Sequence, residues 1–497
     1  MKFLLSVFAG MFLWCQVMLA GVGGYAVVVP ESLQTNTAWQ AVAAALVKKY
    51  DDTKVYRYKI SPMELQKALA ADHPRYLALV APPSMIGKGI VCELSRLTRK
   101  FDADLYGDAL WGIITGYTAD DAMRIVKTKK PLVIERAFGS TGFDTSLMQD
   151  SLIVSDAVEG KVRFKLNNGS ESCTTNDVKA PQGVVNVVMD FWQKQSPQAF
   201  ITSGHATQYN LEMSWGQGLF TCYSNRFYAL RHDQVQGFAK LLRGVIFDGK
   251  ESDVVDCVRS FNAPALPVSS EPKVWVGAGN CLLGDANHSR NTMVVTALSA
   301  GGFNQLVGYV VTTWFGRMGW GTLGHFGSAQ KPSLAQAFFI SNQALLRETI
   351  QDHPAIMKVS YNPAVDGSFF SFVTGTPVRQ KLKELGIPDI SKTGAGLLHD
   401  RDVVAFYGDP RWKATLPGEP AITVSQKLKD GNLVVTIKTT KSFKPNSGFD
   451  LVFDKPFSNP ALADCSDWKK VLTNDFLMVS KSDLKPGEVR VITIRHS

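Results

Sequence analysis

The chain lacks the sequence features that mark several common enzyme classes. Its seven cysteines form no C-x-x-C pair, which excludes zinc-ribbon and thioredoxin-like sites. No G-x-S-x-G, Walker A, H-E-x-x-H or EF-hand sequence occurs. The usual motifs of serine hydrolases, nucleotide hydrolases and zincins are therefore absent from the sequence. Long basic runs are also absent, and 53 Lys and Arg against 44 Asp and Glu give a diffuse net charge of +9. That charge gives no support to nucleic acid binding.

Long hydrophobic runs are missing after the first 30 residues, and a mean hydropathy of -0.02 excludes a polytopic membrane protein. Disorder is excluded by the 45% of residues that are hydrophobic. At roughly 150 residues per domain, a chain of 497 residues has the length of about three domains. The composition therefore predicts a globular chain of several domains.

The first 20 residues have the order of a secretory signal peptide. Met1-Lys2 is followed by an apolar stretch from Phe3 to Leu13 and then by small or apolar residues as far as Ala20. We expect cleavage near this point, no membrane span afterwards, and export to the periplasm, the cell surface or the medium. The alternative is a buried N-terminal helix, which the absence of a polar face disfavours.

The order of strand-like and helix-like segments predicts the fold class. From Tyr25 to about Tyr407, short β-branched runs alternate with segments of helical period, which is typical of βαβ units and a mostly parallel sheet flanked by helices. The polar segment 160–181 predicts a hairpin or loop between two α/β halves. After Pro417, short strand-like runs separated by turn residues predict a small all-β domain of immunoglobulin-like type. The expected organisation is a signal peptide (1–20), an N-terminal α/β subdomain (21–180), a catalytic α/β subdomain (181–415) and a C-terminal β-sandwich domain (416–497).

A glycine-rich segment, 319–324, matches G-x-G-x-x-G and follows a strand-like run. Gly327 and Pro332 follow it where a dinucleotide site would need a long helix, and no acidic residue lies about 20 residues further on to bind a ribose. We therefore interpret the segment as a glycine-rich turn beside the site.

Two apolar strands end in residues that can perform chemistry. Ala199 to Ser203 leads into Gly204-His205, and Lys273 to Gly277 leads through small residues into Cys281. In an open α/β sheet, ligands bind at the carboxyl ends of parallel strands. If the two strands are neighbours, an imidazole there can take the thiol proton and later protonate a leaving amine.

The residues beside this pair suggest an oxyanion hole. Gly204, Gly277 and Gly279 allow backbone N–H groups to approach a tetrahedral intermediate closely. A lone histidine at a strand end is more often structural, and a cysteine after a buried strand is more often inert core. Both residues together, each at a strand end and each near glycine, favour a functional pair.

These residues resemble the gingipain-like cysteine peptidases, which are relatives of caspases, clostripain and legumain. In that family one strand ends in Gly-His and a later one ends in a small residue followed by Cys. The segment 101–114 resembles the family's Tyr-x-Asp segment, and Tyr407-Gly408-Asp409-Pro410 resembles the Gly-Asp-Pro before an immunoglobulin-like module. The four landmarks extend over residues 25 to 412.

The resemblance implies a caspase-like fold with Cys281 as nucleophile and His205 as the acid-base residue. It also implies that the N–H groups of Cys281 and Ala206 bind the oxyanion. The sequence departs from the family at Ala206, where Gly is common, at Asn280, where a small residue is common, and at Ile113, where Arg is expected. The 76 positions from 205 to 281 also indicate an insertion within 209–272.

The substrate-binding residues are less defined by the sequence. Trp314 and Trp320 are candidates for the walls of a specificity pocket, although packing explains such residues equally well. Asp108, Glu212 and Asp285 are candidate partners for His205 or for a basic substrate side chain, and the sequence does not choose among them.

The reaction we expect is hydrolysis of peptide bonds through an acyl-thioester on Cys281, with protein or peptide substrates and no organic cofactor or metal. Some relatives bind calcium, and Asp102, Asp104 and Asp108 are the local acidic residues, but a solvated loop is the favoured interpretation. The alternatives are a catalytically silent surface or adhesion module on the same fold, and a cysteine-dependent acyltransferase or amidase. The oligomeric state stays open.

Overall fold

The computed structural model describes residues 24–158, 160–175, 183–213, 218–231, 264–369, 375–387, 390–462 and 465–496. The predicted signal peptide lies outside these ranges. Within them, no helix combines the length and apolar character needed to cross a bilayer. The α/β character predicted from the sequence is confirmed, because a large, mostly parallel sheet flanked by helices occupies the centre of the molecule.

The strands, numbered along the chain, belong to one central sheet and to several small ones. The central sheet has twelve strands in the order β2-β1-β3-β4-β16-β15-β14-β10-β6-β7-β8-β9. The bounds of its strands are β1 Tyr25–Pro30, β2 Thr53–Tyr58, β3 Tyr76–Val80, β4 Leu110–Ile114, β6 Arg136–Gly139, β7 Asp150–Val154, β8 Lys161–Lys165, β9 Glu171–Thr175, β10 Ala199–Thr202, β14 Lys273–Gly277, β15 Phe303–Tyr309 and β16 Val404–Tyr407.

Two small sheets lie within the α/β region and two in the C-terminal region. In the α/β region, β11-β12-β13 form one sheet and β5-β17 the other; in the C-terminal region the orders are β18-β19-β24-β21 and β20-β23-β22. Their bounds are β5 Leu132–Val133, β11 Asn210–Met213, β12 Gly218–Tyr223, β13 Arg226–Arg231, β17 Ala414–Thr415, β18 Ile422–Lys429, β19 Asn432–Thr439, β20 Phe449–Val452, β21 Pro460–Ala461, β22 Lys469–Leu472, β23 Phe476–Lys481 and β24 Val489–His496.

The helices pack on the central sheet and on one another. α4 shows how the sequence fixes a helix start: the Thr118 hydroxyl accepts from the Asp121 N–H, and the Asp121 carboxylate accepts from the Thr118 N–H. The helices are α1 Thr37–Lys49, α2 Gln66–Asp72, α3 Lys88–Leu97, α4 Ala119–Lys127, α5 Gly183–Gln195, α6 Met293–Leu298, α7 Arg317–Phe326, α8 Leu334–Asp352, α9 Thr376–Glu384 and α10 Lys392–Asp400.

The two strands that lead into His205 and Cys281, β10 and β14, are buried over their whole length. Such continuous apolar runs are expected where helices cover both faces of a parallel sheet. β6, β10, β14 and β15 run parallel to one another, whereas β16 is antiparallel to β15 and parallel to β4. The carboxyl ends of β10 and β14 therefore lie side by side at one edge of the sheet.

The predicted α/β halves contribute to a single sheet. Strands from 21–180 occupy both flanks, with β1 to β4 on one side and β6 to β9 on the other, and strands from 181–415 lie between them. The polar segment 160–175 forms the β8-β9 hairpin at the outer edge, and its turn contains Gly169 with φ of +81°. This hairpin is consequently part of the sheet that carries the site.

The C-terminal region is all-β and has its own hydrophobic core. Its strands β18 and β19 pair over eight positions, and alternate residues of β19 point inward. The buried residues of this core include Val435, Ile437, Trp468 and Leu477. Period-two alternation of this kind is expected for a sheet with one buried face.

The glycine-rich segment 319–324 is not a turn, contrary to the prediction. It lies inside α7, which packs on β14 and β15. A Cβ atom on Gly319 would overlap the carbonyl oxygen of Ala278, so glycine at this position lets the helix approach the loop after β14. The glycines therefore serve helix packing directly beside the predicted site.

Candidate active site

β10 and β14 are parallel neighbours whose register runs from Ala199 opposite Val274 to Thr202 opposite Gly277. The loops that follow these strands line an open cleft of about 1040 Å³. His205 is exposed and Cys281 is half-buried, and both line this cleft. The structure therefore brings the two predicted dyad residues to one solvent-accessible site.

Asn280 links the two loops that carry His205 and Cys281. Its amide nitrogen donates to the carbonyl oxygen of Gly204 at 2.6 Å, and its amide oxygen accepts from the Thr202 hydroxyl at 2.5 Å. The Thr202 hydroxyl in turn accepts from the Trp275 indole N–H at 2.8 Å. Asn280 is completely buried, so its polar atoms cannot exchange these partners for water. Its side chain therefore connects the two loops from below the cleft and does not line it.

The sulfur of Cys281 lies against the segment that follows β15. The Thr313 N–H donates to Sγ at 3.3 Å, and Sγ lies 4.0 Å from the Thr313 carbonyl oxygen. The next residue, Leu282, has φ of +57°, a left-handed conformation that a residue with a branched side chain adopts only at a cost. The turn at Cys281 is thus a strained one.

The residues beside His205 are positioned by close packing. A Cβ atom on Gly204 would lie 2.9 Å from the Glu212 carbonyl oxygen and 3.2 Å from Asp156 Oδ2, so a larger residue would not fit there. Ala206 is 8% exposed and packs in the main hydrophobic core. Its methyl group therefore packs in the core and does not line the cleft. The predicted use of the Ala206 and Cys281 N–H groups as oxyanion donors stays a prediction.

Trp320 and Gly279 belong to the cleft, whereas Asp108 does not. Trp320 is 45% exposed and lines the cleft, with its Nε1 about 3.6 Å from the Cβ position of Gly279. Trp314 directly follows the residue that contacts Cys281, is 43% exposed, and stacks on Phe369 with ring centroids 5.9 Å apart. Asp108 precedes β4, four strands away from β10, and is buried. Asp108 therefore does not line this cleft, where the sequence made it a candidate for contact with a basic substrate side chain.

Among the three acidic residues that the sequence left open, the structure brings Glu212 into the cleft. Asp285 is buried elsewhere, with its carboxylate 3.6 Å from the ammonium of Lys88. Burial raises the pKa of the Glu212 carboxyl, the negative charge of Asp156 raises it further, and His205 acts in the opposite direction. His205 and Glu212 are therefore close enough to interact electrostatically.

Sequence reasoning missed Asp156 and the β8-β9 hairpin as parts of the site. The Asp156 carboxylate accepts from the Ser140 hydroxyl at 2.6 Å and from the Ser203 hydroxyl at 3.3 Å. The hairpin contributes Lys161, Arg163 and the exposed Cys173 to the cleft lining. The alternation of charged and apolar residues from Lys161 to Lys165 was the available signal, because such alternation indicates a strand and not a linker.

A second cluster of charged residues lies between the α/β region and the C-terminal β region. Ligand atoms of His73, Asp102, Asp108 and Asp475 lie within 4.8 Å of one another. Asp108 is 1% exposed, and burial, followed by the charge of Asp475, raises its pKa to about 9. Burial likewise raises the pKa of Asp104 to about 6. Asp108 is therefore enclosed, whereas Asp102 and Asp104 are half-buried in the loop before it.

The same cluster is the place to test the calcium suggested by the resemblance. Three carboxylates supply the oxygen ligands that calcium prefers, although an imidazole is not among its usual ligands. Each carboxylate also has a protein donor: Arg75 to Asp475 at 2.7 Å, Asn474 to Asp102 at 2.7 Å and the Phe101 N–H to Asp108 at 2.8 Å. The donor set is compatible with a bound cation. Protonation of Asp108 explains the close approach of the carboxylates equally well.

Comparisons with known proteins add little to this geometry. No protein-family model and no curated protein matches the chain. A solved structure described as "Structure of Protease" is similar with a TM-score of 0.35 and 10% identity, over 95% of this chain and 94% of that chain. At that TM-score the likeness assigns neither a fold family nor an activity.

Proposed function

We propose that the protein is an exported cysteine endopeptidase that uses His205 and Cys281. The observation that carries the proposal is that both residues follow adjacent, in-register parallel strands into one open cleft. A chance pair would not need the buried Asn280 connection between the two loops or the strained turn after Cys281. Such features are typical of sites whose geometry is held for chemistry.

The proposed reaction has two steps. His205 takes the proton of the Cys281 thiol, and the thiolate attacks the peptide carbonyl carbon to form a tetrahedral intermediate. Collapse of the intermediate breaks the C–N bond, His205 gives its proton to the leaving amine, and an acyl-thioester remains on Cys281. Water, deprotonated by His205, then hydrolyses the thioester and restores the free thiol. This sequence consumes one water per peptide bond and requires no metal or organic cofactor.

The finer assignments rest on the sequence. They are membership of the gingipain-like family, a caspase-like catalytic unit, an immunoglobulin-like C-terminal domain, the domain bounds given above, and export after signal cleavage. The small antiparallel sheets of the C-terminal region and their separate core support the β-sandwich assignment. A calcium ion in the acidic cluster remains a structural proposal with no step in the reaction.

The test is labelling and turnover with a matched cysteine control. Under reducing conditions, a peptidyl electrophile directed at thiols is expected to label the wild type and Cys173→Ala, but not Cys281→Ala. Cys173 is the control because it is an exposed thiol in the same cleft. A peptide library should be cleaved by the wild type, and Cys281→Ala and His205→Ala should reduce the rate by at least about a thousandfold.

Two other outcomes would replace the proposal. Unchanged labelling of Cys281→Ala, or an unreactive wild type that still binds protein ligands, would favour the silent surface module. Transfer of the acyl group to an added amine in preference to water would favour an acyltransferase or amidase. Each outcome is distinguished by product analysis of the same reaction mixtures.

A further inference from the structure

We infer that Glu212 is the positioning residue for His205, a carboxylate that orients the imidazole and stabilises its protonated form. The inference rests on the proposed function, because it assigns a role within the same Cys-His chemistry. Neither the dyad nor the resemblance selects this residue. The selection comes from the way that β11 returns to pair with the loop after β10.

The backbone places residues 205 and 212 opposite each other. Ala206 and Leu211 form an antiparallel bridge, and the Glu212 N–H donates to the His205 carbonyl oxygen at 2.8 Å. Directly opposed residues in an antiparallel pair point to the same face, with Cβ atoms about 4.5 to 5.5 Å apart. Both side chains line the cleft, which agrees with this arrangement.

Glu212 is held by a rigid element. β11 is the edge strand of the small sheet β11-β12-β13, in which Glu212 is opposite Leu219 and Leu211 is opposite Phe220. Leu211, Met213 and Phe220 are buried in the main core. With buried residues on both sides along the strand, the carboxylate of Glu212 cannot turn away from the cleft without disrupting the sheet.

The other charged and titratable groups that face this pair are Asp156, Lys161, Arg163, Cys173 and Cys281. Asp156 is the competing carboxylate, but its Oδ2 already accepts from the hydroxyls of Ser140 and Ser203. The two cations come from β8, which belongs to the central sheet and is separated from β10 by β6 and β7. Glu212 is the carboxylate whose backbone is paired directly with that of His205, and this pairing is the reason for choosing it over Asp156.

The chemical role follows from where the proton is during the reaction. When the thiol proton moves to His205, a thiolate and an imidazolium form together, and a nearby carboxylate stabilises the cation. In this role the carboxylate orients the ring, so that its other nitrogen is available to the sulfur and to the leaving amine. Glu212 neither gains nor loses a proton, so the atom balance of the reaction is unchanged.

The experiment compares Glu212→Gln with Glu171→Gln, which removes an equal charge from the exposed start of β9. We expect Glu212→Gln to lower kcat about 10- to 100-fold with little change in KM. The rate of Cys281 alkylation by iodoacetamide, measured against pH, should rise at higher pH than in the wild type. Glu212→Asp should recover part of both losses, and Glu171→Gln should behave as the wild type.

The opposing results are distinct. A Glu212→Gln enzyme with wild-type kcat and an unshifted alkylation profile overturns the inference. A change in KM alone also overturns it, because Glu212 would then be a substrate-binding residue. A shift of the alkylation profile in Asp156→Asn but not in Glu212→Gln overturns it as well. If Glu212→Gln fails to fold, Glu212→Asp decides, because a shorter carboxylate that leaves both readouts unchanged overturns the inference equally. An inactive wild type with unreactive Cys281 would instead overturn the proposed function.

Discussion

Two parts of the molecule collect a histidine with several acidic residues, and they do so in opposite environments. The cleft brings His205, Glu212 and Asp156 together with Cys281 at an open edge of the sheet. The acidic cluster brings His73, Asp102, Asp108 and Asp475 together between the α/β region and the C-terminal β region, where Asp108 and Asp475 are each 1% exposed. Similar residue types are therefore accessible in one place and enclosed in the other.

The difference shows how burial changes the role of the same chemistry. In the cleft, an exposed imidazole and a half-buried thiol can meet a substrate. In the acidic cluster, the carboxylates face protein donors, and burial raises the pKa of Asp108 to about 9. We therefore expect changes in the cleft to alter rates, and changes in the cluster to alter the pH dependence of stability.

The largest effect beyond the dyad itself is expected at Asn280. Asn280→Ala removes both hydrogen bonds of the connection between the two loops. The Gly204 carbonyl oxygen then lacks this donor, and the Thr202 hydroxyl lacks this acceptor. We expect kcat/KM to fall by about 100-fold, the scale of a misplacement of about 1 Å. The free energy of unfolding should fall by about 1 to 3 kcal/mol.

The measurement is peptide turnover together with urea unfolding, with Asn168→Ala in the exposed hairpin turn as the control. The control should leave kcat/KM unchanged. If Asn280→Ala kept wild-type activity, the brace between the two loops would have no functional role, and the contrast with the acidic cluster would be weaker.

A smaller effect is expected from α7, whose glycines lie next to the cleft loop. Gly319→Ala would force a methyl group against the Ala278 carbonyl oxygen, and such overpacking costs about 1 to 3 kcal/mol. Gly324→Ala in the same helix meets nothing within 4 Å. It should stabilise the protein by up to about 1 kcal/mol, because alanine is the better helix former.

Urea unfolding of the two variants is the measurement. Opposite signs would show that the glycine-rich segment is needed for packing at one position and not at the other. Equal stabilisation by both substitutions would contradict the close contact between α7 and the loop before Cys281.

The smallest effect concerns the acidic cluster. Asp108 has a pKa of about 9 in the folded protein, against about 3.9 for an unperturbed Asp. Between these values the folded state binds more protons than the unfolded state, so stability falls as pH rises from about 4 to about 9. Asp108→Asn should remove this part of the pH dependence. It should also raise the free energy of unfolding at pH 8 by about 1 kcal/mol, which is within the range for removing the desolvation cost of a buried polar group.

Thermal melts of both proteins from pH 5 to pH 9, with calcium or with a chelator, test this prediction. Peptide turnover at pH 7 should be the same for both, because Asp108 is remote from the cleft. If calcium raised the wild-type melting temperature at pH 8 and Asp108→Asn abolished that increase, the cluster would be a cation site, and protonation would not be its resting state.

Local sequence patterns were sufficient for much of the fold. The apolar runs at 199–203 and 273–277 predicted strands close to β10 and β14 as observed. The segment 319–324 was misread because Gly327 and Pro332 suggested a turn. Its helical conformation depends on packing against β14 and β15, which no local propensity reports.

The sequence by itself determined the class of fold, the two strand ends that carry a histidine and a cysteine, and the change to an all-β region near residue 417. These are local properties, since they depend on hydrophobic period and turn residues within short windows. Only the tertiary structure decided that β10 and β14 are neighbours, that Glu212 and not Asp108 or Asp285 reaches the cleft, and that Asp475 joins Asp102 and Asp108 across some 370 residues of chain. Those outcomes depend on strand order and burial, which long-range packing sets and which the spacing of residues along a chain does not encode.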